Sequence, residues 1–161
     1  MTQNIYDNPG FFQGYSQMAR SIGGLDAAPE WPALKAMLPS MQGLKVCGYG
    51  WFCRWAGEQG AGSVLGLDVS EKMLEQARNT TAASNIRYER ADLEAHDLPA
   101  GGFDLAYSSL ALHYIKDLPG LFANVHAALK PGAHFVFSIE HPIFMAPLGN
   151  CTDLTTYLHS T

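Results

Sequence analysis

LKVCGYGWFCRWA, Leu44 to Ala56, reads as a short apolar strand, Leu44–Cys47, that passes through two closely spaced glycines into a helix around Trp51–Gln59. Gly48 and Gly50 let the backbone turn sharply and approach a ligand without a Cβ in the way. Twenty residues after Gly48, Asp68 closes a second strand, SVLGLD over 63–68. An acid there can accept hydrogen bonds from both hydroxyls of a ribose, and it can equally cap the helix that follows. A nicotinamide dinucleotide is the rival ligand, but its fingerprint asks for a third glycine where this chain has Cys53.

The pattern continues outward. A helix is expected over Glu71–Ala83, capped by Ser70 and striped by Met73, Leu74 and Ala77. Strands follow at Ile86–Arg90, Phe103–Ser108 and Ala133–Glu140. Leu118, Leu121, Phe122, Val125 and Leu129 recur at helical spacing, with Asp117 as N-cap and Lys130-Pro131-Gly132 as the stop. Strand alternating with helix predicts a parallel sheet covered on both faces. Ligands bind beyond the carboxyl ends of such a sheet, where strand order reverses. Residues 1–40 show weak helical periodicity around Gln13–Ile22 and Trp31–Leu38 and read as a helical cover, either packed on the core or closing over a ligand.

At 161 residues, 47% apolar and 16% charged, the chain has the size and composition of one globular domain. No apolar run approaches the roughly 18 residues of a membrane span. The net charge of −5, with no Lys/Arg cluster, argues against nucleic acid as partner. Cys47, Cys53 and Cys151 match no zinc or disulfide spacing, and the amino-terminal residues carry no secretory signal, so a cytoplasmic setting is expected. His96, His126, His134 and His159 share no metal-ligand spacing, and no metal is expected.

The runs CGYGWFCRWA, VLGLDVSEKMLEQAR, ADLE, FDLAYSSLALHYIKDL and LKPGAHFVFSIEHPIF together resemble the class I S-adenosylmethionine-dependent methyltransferases. The likeness is to the bacterial small-molecule enzymes of the type 11 group and spans about Asn4 to Phe144. The resemblance implies an α/β, Rossmann-like three-layer sandwich with a mainly parallel sheet. It divides the chain into a cover (1–40) and an S-adenosylmethionine-binding domain (41–161). It also implies a small-molecule methyl acceptor.

Carried over by resemblance, Gly48, Tyr49 and Gly50 pass near the methionine part of the cofactor, and Ser108 lines that end. Asp68 holds the ribose, with Val69 and Met73 near the adenine. Asp92 takes the adenine amine and Leu93 offers a backbone N–H; Asp92 also reads as a solvated loop acid. Arg20 is placed to pair with the cofactor carboxylate, or is simply solvated, while Tyr6 and Tyr15 close the cover or pack in it. His141, with Glu140 to orient it, is the candidate general base, or a histidine serving the backbone where Pro142 turns the chain. His113 with Tyr114 reads more as structural.

The chain departs from the family pattern twice. Where members carry an acid and a further glycine before the loop, Val46 runs directly into Cys47. The first strand is therefore expected to reach the loop short. After Glu140 only 21 residues follow, so the last strands of the full fold are expected to be missing. The Ala133–Ile139 strand then becomes an open edge, and a homodimer through it is expected. A non-catalytic binding or assembly module that keeps the fold is the alternative.

Overall fold

The computed structural model describes residues 4–48 and 50–141. Tyr49, Pro142 and the carboxyl-terminal stretch that follows lie outside the described residues. Five parallel strands, β1 (Lys45–Gly48), β2 (Ser63–Asp68), β3 (Ile86–Arg90), β4 (Phe103–Ser109) and β5 (Leu129–Ser138), form one sheet in the order β3-β2-β1-β4-β5. Strand order reverses between β1 and β4. The architecture is the α/β, Rossmann-like one.

The strands read as nearly continuous apolar runs because both faces are covered. Val46, Val64, Leu105, Tyr107 and Val136 face one side and pack with Trp31 and Leu34 of α3 (Trp31–Ala36) and with Phe52, Cys53 and Ala56 of α4 (Gly50–Glu58). On the other face, Cys47 and Leu67 pack with Ala128 of α6 (Leu118–Ala128), and Ala106 with Leu121 and Val125 of the same helix. α5 (Glu71–Asn79) buries Leu74 and is capped by Ser70, whose hydroxyl accepts from the Met73 N–H at 3.2 Å.

Three elements differ from the sequence reading. The helix expected around Gln13–Ile22 is two helices, α1 (Pro9–Ser16) and α2 (Ala19–Gly23). Asn8 caps α1 with Pro9 in its first turn, and the chain becomes extended at Met18. The α5 helix ends at Asn79, four residues before the expected Ala83. Lys130-Pro131-Gly132 lies inside β5 rather than stopping a helix there. Phe103 pairs with Leu129 and Leu105 with His134, so two steps of β4 face five of β5. The excess is taken up as a bulge that admits Pro131 and a left-handed Gly132 (φ 80°). Among the described residues β5 is the outer strand, paired only with β4.

Of the amino-terminal helices α3 is packed into the core, while α1 and α2 bury no residue. Trp31, 4% exposed, meets Trp55 edge-on at 5.0 Å between ring centroids and lies against Phe52 and Tyr107. Gly24 (φ 65°) is pressed against the Trp51 ring, which a Cβ at that position would meet at 2.9 Å. Trp31→Ala is expected to cost about 3–5 kcal/mol in urea unfolding, as for other buried aromatics cut to alanine, with one transition for the cover and the sheet together.

Candidate functional site

Gly48 pairs in register with Gly66, and β2 continues two residues further to Asp68. On the other side Cys47 pairs with Ala106, while β4 continues to Ser109. β1 thus stops two residues short of both neighbours at the strand switch point. This is the short first strand that the sequence foretold. α4 begins at Gly50, and its Phe52 ring is stacked on Tyr107 with 3.7 Å between centroids. A Cβ on Gly48 would come to 2.8 Å from the Phe52 ring, so glycine is required there by helix packing.

Asp68 stands on one side. Its Oδ1 accepts the Ser70 N–H at 2.8 Å. Burial pushes its carboxyl up to about 6, and the nearby negative charge of Asp7 acts in the same direction. The N-cap role foreseen for this acid falls instead to Ser70. Val69 turns its carbonyl outward to the Arg90 Nε at 3.1 Å, and Met73 is half-buried in the first turn of α5. Ala91 N–H donates to the Asp68 carbonyl at 2.9 Å, which brings the start of the ADLE segment beside the end of β2. Asp92 Oδ1 accepts the Glu94 N–H at 3.1 Å, so part of its capacity holds the turn.

Ser108 is 2% exposed, and its Oγ has no hydrogen-bond partner among the described residues. Together with Leu93, Cys47, Leu67 and Leu112 it lines a cavity of about 30 Å³ between the sheet and α6, room for one or two waters. Leu93 and Ser108, which the resemblance puts at opposite ends of the cofactor, thus line one small cavity. A second hollow, about 260 Å³, lies at the opposite edge of the sheet around Asp104, Lys130 and His134.

The amino-terminal segment crosses the carboxyl edge. Asp7 Oδ1 accepts from the Ser70 hydroxyl at 2.6 Å and from the Lys72 N–H at 3.3 Å at the start of α5. These bonds hold the Asp7 carboxyl below the usual range. Tyr6 reaches the far side, where Tyr114 acts on its hydroxyl, and burial raises the phenol well above its ordinary value. Its ring meets Phe11 and Tyr15 edge-on. Asp7 is the site residue that sequence reasoning missed, because its partner lies 63 residues away and nothing local marks it.

Arg20 forms an ion pair with Glu30, Nη2 to the two carboxylate oxygens at 2.7 and 2.9 Å. Glu30 in turn accepts from the Ser109 hydroxyl at 3.0 Å, and Ser138 bonds Ser109 at 3.1 Å. Arg20 thus sits near the carboxyl end of β4 with its charge already met by Glu30. After Ser109 the chain makes a tight turn at Leu110, whose φ of 51° is strained for a non-glycine residue. The Leu110 N–H is held by Ser138, and Leu112 then plugs the core. His113 follows, its Nδ1 shielded from solvent and without a hydrogen-bond partner among the described residues. His141 is exposed beyond the end of β5. Among the described residues no group of His, Cys, Asp or Glu side chains could hold a metal ion, and no helix is long and apolar enough to cross a membrane.

Residues 44–137 match a family model described as a methyltransferase domain. An S-adenosylmethionine-dependent methyltransferase from Mesorhizobium loti is 62% identical, with a TM-score of 0.74 over 77% of this chain and 58% of that one. A Listeria monocytogenes protein described as a putative enzyme of the same kind is 40% identical, with a TM-score of 0.71 over 74% and 58%. An uncharacterized Haemophilus influenzae protein is 34% identical over 150 residues, 87% of this chain and 59% of its own length. A malonyl-[acyl-carrier protein] O-methyltransferase of Erwinia pyrifoliae is 39% identical over 57% of this chain and 34% of its own. The chain spans less than two thirds of each of these relatives. With its sheet order, its half-buried acid at the end of β2 and these matches, the chain belongs to the class I S-adenosylmethionine-dependent methyltransferase family.

Proposed function

We propose that this chain is the cofactor-binding part of a methyltransferase that transfers the methyl group of S-adenosylmethionine to a small-molecule acceptor. The observation that carries the reading is Asp68: a half-buried carboxyl at the carboxyl edge beside the switch point, with backbone N–H groups as its hydrogen-bond donors and its charge disfavoured. Two ribose hydroxyls supply what such a group lacks. The unpartnered Ser108 Oγ is a second polar atom at the same edge suited to a polar ligand.

In this reading Asp68 holds the ribose, while Val69, Met73, Asp92 and Leu93 serve the adenine. Gly48, Tyr49, Gly50 and Ser108 serve the methionine end. Arg20 reaches the cofactor carboxylate only by giving up part of its pairing with Glu30. When bound, the cofactor supplies an activated methyl group, and the protein's part is to position the acceptor and exclude water. The Tyr6–Asp7 segment spans the same edge and must lift for a ligand of that size to enter. A cytoplasmic setting is consistent with the unbridged thiols of Cys47 and Cys53. Association through the outer edge of β5 would add a homodimer, which sedimentation reads directly.

Calorimetric titration with S-adenosylhomocysteine tests the reading. Asp68→Ala is expected to weaken binding by about tenfold to a hundredfold, the worth of one or two hydrogen bonds to a charged acceptor; unchanged affinity removes the ribose assignment. Failure of the unaltered chain to bind would instead favour the non-catalytic module, for which the closed amino-terminal segment is the supporting observation.

The pH dependence has a defined sign. Asp68 titrates at about 6 in the free protein, and donors from a ribose would favour its charged form and lower that value. Binding should therefore release protons near pH 6, and affinity should fall as pH drops below 6. Titrations in buffers of different ionisation enthalpy measure the release, which Asp68→Asn should abolish.

A further inference from the structure

We propose, building on the methyltransferase reading, that His113 takes the proton of the methyl acceptor through Nδ1, and that the acceptor is a protic group, a hydroxyl or an amine, rather than a carboxylate. His113 stands where the strained Leu110 turn brings the chain back across the carboxyl edge. That turn is held from β5 by two bonds to Leu110 N–H, from the Ser138 carbonyl at 3.1 Å and from its hydroxyl at 3.2 Å. The position is thus fixed by the sheet itself.

The imidazole is half-buried, its ring 4.2 Å from that of Tyr114. Its Nδ1 is shielded from water yet bonded to nothing among the described residues. A buried ring nitrogen left in this way is costly, and a ligand that donates to it relieves the cost. Leu112, the preceding residue, is 1% exposed and anchors the turn, so the ring is held rather than swinging in solvent.

The groups around His113 suit a proton acceptor. Glu140, two residues past the end of β5, is the carboxylate whose charge acts on it; Tyr114 adjoins it on its own turn, and Tyr114 in turn acts on Tyr6 of the amino-terminal segment. Asp68 acts on Tyr6 across the edge. Partial burial keeps the imidazole below its ordinary value and so neutral at pH 7, while Glu140 favours the cation once a proton arrives. In the transfer, the acceptor's bond to hydrogen breaks as its bond to the methyl carbon forms. The electron pair of the carbon–sulfur bond stays on the donor sulfur, and the proton ends on Nδ1. A carboxylate acceptor has no proton to give and would make this arrangement pointless. His141, the base favoured by sequence, is exposed one residue beyond Glu140.

The test uses the full chain and two ligands: S-adenosylhomocysteine, and sinefungin, in which an amine-bearing carbon replaces the S-methyl group. His113→Phe keeps a ring for packing but has no nitrogen. It should leave the melting temperature and the S-adenosylhomocysteine affinity unchanged, and weaken sinefungin by about tenfold, one charge-assisted hydrogen bond. His113→Asn, which keeps an acceptor on the Nδ1 side, should recover part of that loss. Equal effects on both ligands, or none on either, overturn the proton-acceptor role. Binding of neither ligand by the unaltered chain overturns the methyltransferase reading itself, and this proposal with it.

Discussion

The structure depends on the early end of β1. Because this central strand stops two residues below its neighbours, α4 starts low and lays Phe52 across Gly48 onto Tyr107 of β4. That stack ties the first crossover helix to the strand on the far side of the switch point. Trp31 and Trp55 build outward from it, joining α3 to the same core. Gly48 is consequently a packing glycine whose replacement would push the ring away, whatever its role toward a ligand.

The carboxyl edge on either side of this early end carries chemistry of two kinds. On the β2 side lie carboxyls: Asp68, whose charge is disfavoured by burial, and Asp7, whose charge is supported by the Ser70 hydroxyl and the Lys72 N–H. Two neighbouring acids with shifts of opposite sign are held apart by their donors. On the β4 and β5 side lies a hydroxyl and ion-pair chain running from Arg20 through Glu30 and Ser109 to Ser138. The amino-terminal segment touches both sides, through Asp7 on one and Tyr6 on the other.

This arrangement makes the division of labour in the proposed function physical. The β2 side suits a neutral, hydroxyl-rich group that donates hydrogen bonds. The turn after β4 offers an imidazole whose cation is disfavoured by burial, and the chain beyond β5 an exposed carboxylate, a pair suited in the proposal to proton removal from an acceptor. The second hollow, at the amino ends of the strands, has Lys130 and Asp104 neutralising one another at 2.7 Å and stays apart from this chemistry.

Much of this was legible in the amino-acid sequence. Alternating apolar runs determined the five strands and their parallel pairing, since a strand buried on both faces admits few polar residues. The 20-residue step from Gly48 to Asp68, and Asp92 after the next strand, located the carboxyl edge. The missing acid and glycine foretold the short β1. What only the tertiary structure decided is which charges meet. Arg20 was read as a partner for a carboxylate outside the chain, yet its carboxylate is Glu30, ten residues on, across a turn that periodicity does not encode. Asp7 and Ser70, 63 residues apart, meet because the core brings the amino-terminal segment over α5. The Lys130-Pro131-Gly132 run looked like a helix stop and became a bulge, because pairing with β4 outweighs the local turn signal. Local sequence carries the backbone's preferences; the pairing of distant polar groups waits on the packing that brings them together.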